Sequence, residues 1–304
     1  MAGADPLALA VRFGLYFVLG LGFGLPLFTL FTPRGGGRAL RATLAGTAIA
    51  GVVLSVASII LLAASMTGVD VMAVDAAAVR IILTLPGIGT AWIFRMAALL
   101  LLVVAAVAIR GQRLLAVVGT AAAGTALASL AWTGHGNISE GLWAPVHLGA
   151  DIVHLLAAGA WLGALLALLA LVGRPAHSVG RDHVAETHGA LAGFSIIGSV
   201  IVGLIIVSGL VNSWTVIGID NLGALVTTIY GWLFIAKLTL FTAMLGLAAA
   251  NRFRLTPALE RAAGDPSRQM KALRTSLVIE TSAAVLILAL VAWLGLLAPP
   301  GTMG

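Results

Sequence analysis

The sequence predicts an all-α, polytopic membrane protein of eight transmembrane helices, and three observations predict it. Apolar residues make up 61% of the 304 and charged residues only 9%. The apolar residues are gathered into runs that reach the roughly 20 residues a helix needs to cross a bilayer. The basic residues fall almost wholly in alternate connections between those runs, as the positive-inside rule requires.

Taken in order, the spans are expected at 7–32, 38–66, 89–110, 113–133, 143–172, 188–214, 229–250 and 272–297. The first begins at Leu7 with no basic segment before it, so it reads as a spanning helix rather than a cleaved leader. The third and fourth are separated only by Arg110-Gly-Gln-Arg113, which makes them antiparallel neighbours. Weakly amphipathic external segments precede the third span, near 69–85, and the seventh, near 218–228.

Orientation follows from the basic residues. Arg34, Arg38 and Arg41 follow the first span, Arg110 and Arg113 the third, and Arg174 and Arg181 the fifth. Arg252, Arg254, Arg261, Arg268, Lys271 and Arg274 follow the seventh, whereas the opposite connections hold only Arg80. Both termini are therefore expected on the periplasmic side. Trp92, Trp132, Trp143, Trp214, Trp232 and Trp293 all fall near that interface, where an aromatic belt belongs.

The chain also reads as two parallel four-helix repeats, residues 1–134 and 135–304. Val11-Arg12-Phe13-Gly14 opens the first span as Val146-His147-Leu148-Gly149 opens the fifth. Gly89 precedes Arg95 by the same interval as Gly231 precedes Lys237. Transporters often carry such repeats and place sites between them.

Composition removes several chemistries. No cysteine is present, so disulfides, thiolate metal sites and thiol nucleophiles are excluded. The net charge of +6 is spread over short loops, so the partner it implies is the lipid bilayer and not a nucleic acid. Any metal must be held by His, Met, Asp, Glu or backbone oxygen.

The candidate site lies between Trp132 and Trp161. His147, Asp151 and His154 stand at i, i+4 and i+7, within a sector of roughly 60° on one helix face. His135 lies just before, in a Gly-His-Gly run whose glycines leave its backbone free to adapt. In a soluble protein, two such histidines would be read as packed against neighbours. In a membrane, ionisable side chains are costly, and a functional role becomes the default reading.

Four further ionisable residues sit inside spans: Arg12, Arg95, Lys237 and Glu280. The first three share with Asp151 a depth of roughly 9–13 Å from the outer end. Asp151 is expected to face one or more of them, in an ion-pair layer that locks packing or as a partner that orients a histidine. Glu280 is expected to pair with a basic residue of the inner loop. Among the methionines on the outer side, Met66, Met72 and Met96, packing is the first expectation. Met96, beside Arg95, and Met66 are also possible thioether ligands. Asp182 to His188 could form a second, inner metal site, though loop solvation is the simpler account. Asn212-Ser213 and Asn251-Arg252 read as interface and helix-end polar groups.

In their order and spacing these residues resemble the copper resistance D (CopD) family of bacterial inner-membrane proteins. The resemblance runs through Gly134-His135, then Asp151-x-x-His154 into Ala157-Ala158-Gly159-Ala160-Trp161-Leu162-Gly163. It continues with Gly209, Val211-Asn212-Ser213, Thr228-x-Tyr230-Gly231 and Lys237, then Asn251-Arg252, Arg274, Glu280 and Pro299-Pro300. Arg12 and the stretch from Gly89 to Arg95 fit as well. The resemblance implies eight spans and a protein that moves or handles copper with a periplasmic carrier of the CopC type. Met-rich tracts, common in copper transport, are absent.

The function expected is copper transport across the inner membrane, as Cu(I) or Cu(II), through a site of His135, His147, Asp151 and His154 with Met96 or Met66. No enzymatic activity is expected. The alternative is a haem-binding membrane protein similar to oxidases of the HemJ type. His147 and His154 share one helix and cannot ligate opposite faces of one haem, so a second axial ligand would have to come from His135 or His188.

Overall fold

A computed structural model of the chain describes residues 5–32, 37–133, 143–173, 181–218, 221–260 and 267–300. His135 lies outside them. All regular structure among the described residues is helical. The long helices are α1 (Pro6–Phe31), α2 (Gly37–Thr67), α4 (Ile88–Ala108), α5 (Gln112–Ala128), α6 (Ala144–Val172), α7 (Arg181–Ile217), α9 (Ile229–Ala250) and α11 (Ser267–Leu294). Short helices α3 (Ala76–Thr84), α8 (Ala224–Thr227) and α10 (Thr256–Glu260) lie in the connections. Among the described residues, eight helices are long and apolar enough to cross a membrane.

The helices begin and end where chain chemistry dictates. Asp5 caps α1, its carboxylate accepting the Leu7 N–H at 2.9 Å, and Pro6 opens the first turn, where a missing N–H costs nothing. Asp75 caps α3 through the Ala78 N–H at 2.8 Å. Two helices outrun the spans that hydropathy marks. α7 starts at Arg181 and α11 at Ser267, because both continue through polar and charged turns that a hydropathy window excludes. After Ala250 the backbone of α9 widens into a π-helical turn, Asn251–Leu255, before α10.

The centre of the molecule is α1, which packs against α2, α5, α6 and α11. Its closest crossing is with α6. Gly20 and Gly24 face Gly159 and Gly163, and a Cβ on Gly24 would stand 2.1 Å from the Gly159 carbonyl oxygen. Without a hydrophobic drive between helices in lipid, such small-residue crossings gain their stability from close backbone packing. On the far side of α6 lies α7, while α9 packs chiefly on α11. The α7 and α9 pair is thereby left with a cleft between them, backed by α6 and α11.

The start of α1 and the end of α11 meet at one end of the bundle. Arg12, one turn and a half into α1, donates to the Gly295 carbonyl just past α11 at 2.8 Å. This terminal end also carries the start of α6. Rows of exposed apolar side chains, among them Ile49, Val53, Leu100, Val104, Val107, Val200, Val207 and Leu210, clothe the outside, as a lipid-facing surface requires. Trp143, Trp214 and Trp232 are exposed at the terminal end. Trp92, counted with the aromatic belt, also ties α4 to α2 through its indole N–H and the Ser55 carbonyl at 2.9 Å.

Candidate functional site

The first turns of α6 position the site. His147 is buried, at 2% exposure, and Asp151 and His154 follow on the same face, half-buried. The Asp151 carboxylate accepts the Asn212 side-chain N–H of α7 at 3.2 Å, and the charges of Lys237 and Arg12 act on it from a distance. Lys237, on α9, lies 6.0 Å from the Phe234 ring centroid. Arg95, expected in the same layer, is turned into the first half of the chain. It is 1% exposed and donates to the Ser129 hydroxyl at 2.8 Å.

His154 Nδ1 stands 3.0 Å from the Ser208 hydroxyl. That hydroxyl has a single hydrogen, and it is directed to the Leu204 carbonyl at 2.5 Å. Giving that hydrogen to Leu204, the shorter of its contacts, makes Ser208 the acceptor from His154, and this assignment places the imidazole proton on Nδ1 and leaves Nε2 with its lone pair. This is the arrangement in which a histidine binds a metal, the second nitrogen being fixed by a hydrogen bond. Gly209 makes the room: a Cβ there would sit 3.3 Å from the imidazole Cε1. His154 and Lys237 line a cavity of about 330 Å³ between α6, α7, α9 and α11.

Met96, on α4, and Met66, exposed at the end of α2, are not among the residues lining this cavity. Among the described residues no three His, Asp or Glu side chains group closely enough to hold a metal by themselves. The described part of the site thus consists of one imidazole beside Ser208, a buried imidazole two turns away, and a carboxylate between them that accepts from Asn212.

Glu280 has partners other than the basic loop residue expected. It is 2% exposed, accepting the Trp161 indole N–H at 3.2 Å and the Asn251 side-chain N–H at 3.0 Å, while Arg274 is exposed. Sequence reasoning passed over Ser208, Asn212, Trp161 and Asn251 as partners. The signal for Trp161 and Asn251 was their place in the family pattern; Ser208 gave none.

Comparison with known proteins decides the family. A copper resistance protein D of Pseudomonas syringae pv. tomato is 42% identical over 97% of this chain and 97% of its own. The chain belongs to the copper resistance protein D family. Two family models match it: the copper resistance protein D-like N-terminal domain over residues 3–146, and copper resistance protein D over residues 188–294. Asp151, His154 and Trp161 fall between these two segments, inside the stretch shared with the full-length relative, whereas Ser208, Asn212, Lys237, Asn251 and Glu280 fall in the second. The inner membrane protein YebZ of Escherichia coli (strain K12) is 32% identical over 43% of each chain. No solved structure matches. With eight apolar helices and these relatives, the chain is a multi-pass protein of the inner membrane.

Proposed function

We propose that the protein takes copper from the periplasm at the bundle end that carries both termini and passes it into the membrane through the second half of the chain. The observation that carries this reading is His154, whose Nε2 is left as a metal-binding nitrogen on the wall of an intramembrane cavity. His147, two turns before it on α6, lies on the approach to it, His135 precedes that helix in sequence, and a periplasmic carrier of the CopC type is the donor. Imidazole suits both oxidation states of copper. Asp151 gives the site its negative charge, but Lys237 and Arg12 compete for it. Competition of this kind keeps binding weak enough for release, as conduction requires.

Features that recur in the two halves support the same reading. Gly89 and Gly231 each sit against backbone six residues earlier, Leu83 and Leu225, where the short external helices α3 and α8 turn into a span. Tyr16 stands to Arg12 in α1 as Asp151 stands to His147 in α6. Tyr16 accepts from Arg12 at 3.4 Å in one half, and Asp151 accepts from Asn212 at 3.2 Å in the other. We read the first half as the copy without imidazoles, a scaffold for the second.

The test is transport into proteoliposomes. Wild-type protein should accumulate copper, and His154→Ala and Asp151→Asn should do so at a small fraction of that rate. Equal rates in wild type and His154→Ala would end this reading. The purified protein should show no Soret band; a Soret band would point to haem instead.

A further inference from the structure

Two cavities occupy the cleft between α7 and α9, and one side chain belongs to both. The first, about 330 Å³, holds His154, Ser213 and Lys237 toward the terminal end. The second, about 530 Å³, holds Ser195, Asn251, Arg252 and Glu280 toward the opposite end. Trp161 lines each of them and stands between. It is 5% exposed, its ring set edge-on to Phe241 with centroids 6.1 Å apart. Its only polar atom, a donor and never an acceptor, is committed to Glu280.

Glu280 is unusual in its company. Both of its oxygens accept from neutral donors, Trp161 of α6 and Asn251 at the head of the π-helical turn. Arg252, on the same cavity wall, is directed across it to the Ser195 carbonyl and the Ser199 hydroxyl of α7. Lys271 and Arg274 on α11 and Arg254 after α9 are exposed. Asp151, His154, Lys237, Arg12 and Tyr16 belong to the terminal end. Asn251 Oδ1 is buried with no hydrogen-bond partner, so an acceptor stands ready beside the carboxyl group. π-Helical turns of this sort recur at functional positions in helices.

We propose that Trp161 is a septum between two half-channels and that Glu280 is a proton-binding latch which holds it closed. The ionised carboxylate accepts the indole N–H and keeps the ring across the cleft. When Glu280 takes a proton from water in the larger cavity, an O–H bond forms and one oxygen turns from acceptor to donor. The new O–H is satisfied by Asn251 Oδ1 once that amide turns over, the indole loses its charged acceptor, and the ring is free to swing. This deepens the transport reading above and rests on it only for the identity of the cargo, because the septum can be tested without copper.

The chain has no cysteine, so single cysteines report cleanly. Ser213→Cys and Ser195→Cys place a thiol in each cavity, and Met72→Cys, on an exposed turn, serves as the control for the effect of pH on thiol reactivity. A membrane-impermeant methanethiosulfonate is added from the side carrying Met72 to protein in sealed vesicles. Ser213→Cys should be labelled and Ser195→Cys spared at neutral pH. In Trp161→Ala, Ser195→Cys labelling from that side should rise about tenfold or more, the factor a hydrogen bond to a charged group sustains. Trp161→Phe, which keeps the ring and loses the donor, should give an intermediate rise and covers the case in which the alanine variant does not fold. Lowering the pH should raise Ser195→Cys labelling relative to Met72→Cys, and in Glu280→Gln the labelling should be high and independent of pH. Ser195→Cys labelling unchanged in both tryptophan variants would overturn the septum, as would equal labelling from both sides in the wild-type background. A pH response that survives in Glu280→Gln would overturn the latch. Loss of copper transport with the labelling pattern intact would count against the cargo and not against the gate.

Discussion

Removing the Asp151 carboxylate would take away the negative charge that acts on the Lys237 ammonium inside the membrane. An ion in low dielectric that loses its compensating charge is destabilising even where the two do not touch. Asp151→Ala should therefore lower the thermal midpoint of the detergent-solubilised protein strongly, and Asp151→Asn, which retains a polar partner for Asn212, should lower it less. Equal midpoints in all three proteins would remove the charge layer from the account. Ser208 makes a separate prediction. Its loss would free His154 to change tautomer, and supporting contacts of this kind are worth about 10–100-fold in metal affinity. Ser208→Ala should weaken copper binding by that order with no change in the thermal midpoint, measured by competition with a copper chelator. At this scale the sequence exposed one side of each contact. His154 and Asp151 stood out because ionisable groups are rare in an apolar helix. Ser208 did not, and Asn212 stood out only as an interface group, because the pattern of α7 does not say which side meets α6.

Among the helices, the crossing of α1 and α6 is the joint that brings the two halves together. Gly163→Ala would drive a methyl to within 2.2 Å of the Gly24 carbonyl carbon, a contact that only helix separation relieves. Overpacking of this sort typically costs about 1–3 kcal/mol. The variant should show a lower thermal midpoint, while Gly149→Ala, whose Cβ meets open space, should not. The eight spans themselves were legible, since length and hydropathy alone mark them. The glycines at 20, 24, 159 and 163 were equally visible, but a small-residue pattern does not name its partner helix. The π-helical turn after α9 left no trace in the sequence, because Asn251 and Arg252 read equally well as an ordinary helix end.

For the whole molecule, the orientation proposed from the basic residues has its own check. In intact cells an impermeant thiol reagent should label Met72→Cys and spare Lys271→Cys. The reverse pattern would move the α6 histidines to the cytoplasmic side and reverse the proposed direction of approach. Family and membrane character were readable along the whole chain, from Arg12 to Pro299-Pro300. The cavities were not, because they arise from α7 and α9 standing apart, a property of packing that no single segment records. The central claim is that His154 holds copper, and it is met most directly by copper stoichiometry on purified protein. Wild type dialysed against a fixed copper concentration should take up the metal, and His154→Ala should take up almost none while keeping the wild-type thermal midpoint in the absence of copper. Wild-type copper content in His154→Ala would contradict the account.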